Sequence, residues 1–361
     1  MLNPEAEILD ILIKDGFIVD ISKNIDANDC EVIDCTNKIV LPGLIDSHCH
    51  IGVFGTAMGE IGVDGNESTN TCTASSRAID GINFLDKEFE HAYKHGVTCV
   101  STGPGSANPI AGQFVTMYTH GSGFKDMIIK EPASLKLAFG ENPKTSHKNT
   151  GPITRMGVSS VIRQKFYEAQ KYDPNKEVNL DLDILKQCLD GKLPVKAHAH
   201  RADDILTALR IAEEFNLDMS IEHCTEGYRI IEELKKANGV IIGPMIDFPH
   251  KLELKNRTLE NANLLFKNGI KFAIMSDLPG MHCGDIVLEA GLCIREGLPI
   301  IEALKAITIN AAEILKIDNE TGSIEKGKNA DITIFDKNPV VDITAKCLLT
   351  MIKGKIIYKN F

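Results

Sequence analysis

The 361-residue sequence contains no apolar run near the ~20 residues that a membrane-spanning helix needs, so no membrane partner is expected. Its start, MLNPEAEILD, is acidic and lacks the basic segment and apolar stretch of a secretory signal, which points to the cytoplasm. The ten cysteines have neither the short paired spacings of a zinc ribbon nor the density of a small disulfide scaffold, and they read as reduced thiols. Excess positive charge is also missing. A formal net charge of −11 argues against nucleic acid, whose binding needs Lys and Arg to neutralise phosphates. A small-molecule partner fits this balance, and a homo-oligomer is compatible with it.

What is present is ordinary globular composition, 43% hydrophobic and 25% charged, in a chain longer than one core usually serves. Short strands with period-two patterning open it (ILDILIKDG, FIVDIS, CEVIDCTNKIV), and GSIEKGKNADITIFD and CLLTMIKGKIIYKN repeat that texture at the end. Residues 1–44 and 320–361 are therefore expected to form one β-sandwich. Between them, VTCVSTG, LKLAFGE, VKAHAH, MSIEHC, GVIIGP and FAIMSD alternate with helical patterns such as ADDILTALRIAEEF. Alternation of strand and helix implies a parallel sheet, and this many units predict an α/β fold with a (β/α)8 barrel over 45–319. The Gly-, Ser-, Thr- and Asn-rich stretch from about Gly55 to Asn83 reads as a long loop over the active site.

The sharpest motif is LPGLIDSHCH, residues 41–50. Alternate side chains of a strand face the same way, so His48 and His50 converge while Cys49 points elsewhere. Three further strand ends supply His198 with His200 on the same face, His223, and Asp277. Barrel enzymes gather functional residues at the C-terminal ends of several strands. Imidazoles with a carboxylate suit a divalent metal, zinc above all, with manganese or iron as alternatives. The Gly-rich GPGSANPIAGQ, residues 103–113, lacks the Walker lysine and the dinucleotide glycine spacing and reads instead as a backbone-lined pocket wall.

The order PGLIDSHCH, HAH, SIEH, SD, TINAAEIL and GSIEKGKNADITIFD resembles the amidohydrolase superfamily, particularly its imidazolonepropionase and metal-dependent prolidase branch. The resemblance spans nearly the whole chain. It implies one or two divalent ions held by His48 and His50 from strand 1, His198 from strand 5, His223 from strand 6 and Asp277 from strand 8. It further implies that Asp277 shuttles a proton. For a bridging group on strand 4 it offers Lys136, carboxylated as in the prolidase-like branch, or Glu141, as in others. Five residues apart, these two fall on opposite faces of a straight strand. Leu278 stands where many relatives have a histidine after the aspartate. The chemistry implied is metal-assisted hydrolysis of a C–N bond in an amide, cyclic amide or dipeptide, with His200 stabilising the oxyanion. Arg201 and His282 are expected to touch substrate, and His120 and His250 lie in neighbouring loops. A heterocycle deaminase and a barrel retained only for binding are the competing readings.

Overall fold

The structure, a computed structural model, describes residues 7–246 and 251–360. Eight strands form its central sheet: β4 (Leu44–Cys49), β5 (Val97–Thr102), β6 (Ile110–Tyr118), β7 (Ile128–Ala138), β8 (Val195–Ala199), β9 (Met219–His223), β10 (Gly239–Ile242) and β11 (Ala273–Ile274). They follow one another in space in chain order, from β4 at one edge to β11 at the other. The edges meet. Ser47 Oγ donates to the Ile274 carbonyl at 3.0 Å, and the Asp277 N–H donates to the His48 carbonyl at 3.2 Å. The sheet is thereby a nearly closed barrel, as expected, and both ends of the binding strands come to one place.

One strand departs from the all-parallel expectation. β6 pairs antiparallel with both β5 and β7, while every other ladder in this sheet is parallel. Parallel neighbours need a crossover of about a dozen residues or more, usually helical, whereas 103–109 and 119–127 are too short to carry the chain back. Elsewhere the crossovers are helical, as with Arg155–Lys171 and Leu180–Leu189 before β8 and Ala202–Phe215 before β9. The last of these buries Ile205, Ala208, Leu209 and Phe215, the stripe that helical periodicity dictates, and ends on Asn216 in the left-handed region at φ 52°.

The chain ends supply the other strands: β1 (Asp10–Lys14), β2 (Phe17–Ser22), β3 (Ile39–Pro42), β12 (Ile332–Phe335), β13 (Cys347–Ile352) and β14 (Lys355–Lys359). β14, β13, β12 and β3 form one antiparallel sheet, and β1 and β2 form a separate ribbon. Ile18 from the ribbon packs with Ile332, Ile334, Leu349 and Met351, joined by Ile11, Ile13 and Ile21. Lys353 and Gly354, both at positive φ, turn β13 into β14. CEVIDCTNKIV yields a strand only from Ile39 on, because 31–35 run without regular structure and Thr36 and Asn37 form a turn. All ten cysteines are free, and among the described residues no helix is long and apolar enough to cross a membrane.

Candidate active site

Four imidazoles face one another at the mouth of the barrel, and a fifth stands beside them. His198, His200 and His223 have ring centroids 4.3–4.8 Å apart, His48 lies 5.9 Å from His223, and His50 lies 5.2 Å from His48. All five are buried. Two groups have the spacing of metal ligands, His48 with His50 and Asp277, and His198 with His200 and His223; within each group the ligand atoms lie within 4.8 Å of one another. Asp277 Oδ1 is 3.4 Å from His50 Nε2 and 3.6 Å from His48 Nε2. Lys136, completely buried, places Nζ 3.0 Å from His48 Nε2.

The far sides of these rings decide what the near sides can do. His50 Nδ1 is 2.7 Å from the Gly103 carbonyl and His223 Nδ1 is 3.0 Å from the Gly243 carbonyl. A carbonyl can only accept, so each Nδ1 carries the proton and each Nε2 keeps its lone pair. His48 Nδ1 donates likewise to Glu222 Oε2 at 2.7 Å, and that carboxylate is held by Ser220 Oγ at 2.5 Å and Lys196 Nζ at 3.3 Å. Three lone pairs are thus fixed before any ligand arrives. His198 Nε2 is buried with no hydrogen-bond partner, a costly state for a polar atom and the one a bound cation relieves.

Electrostatics agree with that donor set. Burial, reinforced by neighbouring cations, holds His48, His198, His200 and His223 well below the usual imidazole range, so they are neutral near pH 7. Burial likewise pushes the Lys136 ammonium down to about 8, leaving a substantial neutral fraction in mild alkali. Burial opposes ionisation of Asp277, but the nearby Lys136 ammonium works against it and the carboxyl stays below its usual range.

Other expected residues lie elsewhere. Glu141 begins the helix Glu141–Ser146 and belongs to neither ligand group; its N–H donates to Glu253 Oε2 at 3.0 Å. β7 has ended at Ala138, and Gly140, at φ 83°, turns the chain away; a Cβ there would lie 2.7 Å from Glu253 Oε2. Arg201 is paired through two nitrogens with Asp203, at 3.0 and 2.8 Å. His282 Nδ1 lies 2.7 Å from Glu88 Oε2, in a group with His91. His120 stacks edge-on to Tyr93, and His250 falls outside the described residues.

Sequence reasoning missed Glu222 and Glu253. Strand alternation turns Glu222 away from His223, yet the left-handed backbone at His223 and Cys224 (φ 67° and 48°) breaks the alternation and lets both serve the site. Glu253, buried in the segment after β10, brings Oε1 to 3.7 Å from His200 Nε2 and 3.9 Å from His198 Nε2. Gly103, from the expected pocket wall, contributes its carbonyl to His50, and a Cβ there would strike Phe114 at 2.3 Å.

A buried ring of imidazoles, a carboxylate and a lysine near the C-terminal ends of barrel strands has the donor chemistry of the barrel enzymes that hold divalent metals. The chain belongs to the amidohydrolase family, whose model matches residues 164–357, and it is a hydrolase acting on C–N bonds of small molecules. The crystal structure of an amidohydrolase from Thermotoga maritima MSB8 is similar to it at 38% identity and TM-score 0.94, covering 97% of this chain and 95% of that one. An imidazolonepropionase of Picrophilus torridus is 26% identical over 97% of this chain and 93% of its own length. Amidohydrolase tasK of Hapsidospora irregularis is 27% identical over 92% of this chain, which spans only 38% of that longer protein.

Proposed function

We propose that the chain hydrolyses an amide, cyclic amide or dipeptide bond with one or two divalent ions held by His48, His50 and Asp277 and by His198 and His223, with Lys136 between them. The observation that carries this reading is the set of pre-fixed Nε2 lone pairs converging on one buried point, beside the unpartnered His198 Nε2. Three nitrogen donors with an oxygen suit zinc, and manganese or iron are told apart from it by elemental analysis. A divalent ion bound there lowers the pKa of water from ~15.7 toward ~7 and polarises the scissile carbonyl.

The protein's own groups supply the rest. Asp277, ionised and 25% exposed, takes the proton of the attacking water on Oδ1 and returns it to the leaving nitrogen. With the Thr225 hydroxyl, 2.8 Å away, donating to its Nδ1, His200 would carry its proton on Nε2 and donate it to the oxyanion. Lys136, with its lowered pKa, is neutral often enough for its Nζ to add to carbon dioxide with loss of a proton, and the resulting carbamate would offer its oxygens to the bound ions. Arg201, released from Asp203, is the group we assign to a substrate carboxylate. The ten free cysteines suit the reducing cytoplasm, where we place the protein.

The test is hydrolysis by zinc- and manganese-loaded protein of a panel of cyclic amides, N-acyl amino acids and dipeptides. Turnover of at least one class, lost on chelation, is expected; no turnover of any class by loaded protein overturns the proposal. Adenine deaminases of Clostridium perfringens also match, at 24–25% identity over 91% of this chain, and they motivate a second reading, attack of the same water at a ring C=N carbon. Ammonia release from aminopurines in the same panel separates the two.

A further inference from the structure

Outside the ligand ring, the helix Lys87–Lys94 packs against the segment that follows β11, and three potential ligands meet at that contact. Glu88 and His91 stand one helical turn apart and so share a face. His282 arrives from the other side, just ahead of the one-turn helix Cys283–Asp285. One ring nitrogen of each histidine and a Glu88 oxygen lie within 4.8 Å of one another, and the His91 and His282 ring centroids are 4.8 Å apart. None of these residues belongs to either ligand group of the active site.

Two details distinguish this cluster from an ordinary surface ion pair. His91 Nδ1 is buried and has no hydrogen-bond partner; Glu88 Oε1, 3.6 Å away, is beyond bonding distance. Glu88 is itself 3% exposed, an expensive place for a carboxylate. The room for His91 is also specific, because a Cβ on Gly284 would lie 2.7 Å from both Nδ1 and Cε1 of the His91 ring. His282, with a side chain 59% exposed, leaves the cluster open to solvent on one side, the entry path a cation needs.

We infer that Glu88, His91 and His282 form a separate binding site for a zinc-like divalent cation, with two imidazole nitrogens, one carboxylate oxygen and a solvent-facing fourth position. Such a donor set is borderline-soft and favours zinc over calcium or magnesium. Its place in the fold gives it a consequence. The Cys283 N–H donates to Glu88 Oε1 at 2.9 Å, and Cys283 Sγ is 3.7 Å from the Ser276 hydroxyl, one residue before Asp277. A cation joining the helix to His282 therefore pins both ends of the segment 276–283 that carries Asp277.

Equilibrium dialysis of the full chain against zinc, with elemental analysis, tests this without reference to turnover. The His91→Ala/His282→Ala double variant is expected to bind one zinc per chain fewer than the wild type and to keep the zinc bound at the barrel mouth. Equal zinc in the two proteins overturns the inference. A second measurement uses the unaltered chain, in case the variant fails to fold: modification by diethyl pyrocarbonate, mapped by peptide, with and without zinc. Zinc protection of His91 and His282 supports the site. Unchanged modification of His282 at saturating zinc overturns it, whatever happens at the active-site histidines.

Discussion

Replacing Asp277 by Asn separates proton transfer from ligation and from folding. The backbone at Asp277 lies in the left-handed region at φ 50°, which Asn tolerates better than almost any other residue, and its N–H bond to the His48 carbonyl is a main-chain contact that the change leaves intact. The side chain is 25% exposed, and its amide oxygen can still face His50 Nε2 where Oδ1 now lies at 3.4 Å. Stability should therefore change by less than about 1 kcal/mol and most of the bound metal should remain. An amide accepts no proton at neutral pH, so kcat should fall by ~10²–10⁴, equivalent to about 2.7–5.5 kcal/mol in the barrier. The assay is kcat, metal content and melting temperature on one preparation. Wild-type kcat with full metal removes Asp277 from the proton pathway, and a loss of kcat that only tracks a loss of metal reduces it to a ligand.

Glu222→Gln takes the charge from the group that orients His48, and zinc affinity should drop ~10–100-fold in a competition titration; unaltered affinity would show that the His48 orientation does not depend on it. Metal-free protein should lose stability as pH falls below 6.5, because four imidazoles have folded pKa values below their unfolded value and the unfolded chain then binds more protons. Asp46 and Glu289, raised by burial to about 6 and about 7, act in the opposite sense, so four groups at ~1.4 kcal/mol per pH unit against two leave a net loss of up to about 3 kcal/mol between pH 6.5 and 5.5. Urea midpoints of chelated protein at the two pH values measure this, and a midpoint that rises in acid contradicts it. Leu349→Ala should cost about 2–5 kcal/mol if residues 1–44 and 320–361 act as one β unit around that side chain, and a urea midpoint within error of wild type would remove Leu349 from any such core.

The convergence of the candidate ligands was legible because it obeys two simple periodicities. His48 with His50, and His198 with His200, sit two apart at strand ends, and His223 and Asp277 fall at or just past the ends of two further strands, β9 and β11, in a barrel whose geometry brings such ends together. What escaped the sequence lies where these regularities stop. The reversal of β6 depends on the absence of a crossover helix, which a Gly-rich stretch such as 103–109 signals only weakly. Glu222 was hidden by the backbone change at His223, and Glu253 by its position in an aperiodic segment far from any strand end. Glu141 stands outside both ligand groups because β7 ends three residues earlier and Gly140 turns the chain aside, which sequence spacing cannot reveal.

The central claim, that metal at the barrel mouth drives C–N hydrolysis, is met most directly by reconstitution. Chelated protein is titrated with zinc while bound metal and turnover of the best substrate of the panel are followed together, in the wild type and in His48→Ala/His50→Ala. The account predicts no turnover without metal, recovery in step with filling of the barrel-mouth site, and none in the variant at any zinc concentration. Turnover by metal-free protein, or wild-type turnover in the variant, would contradict it.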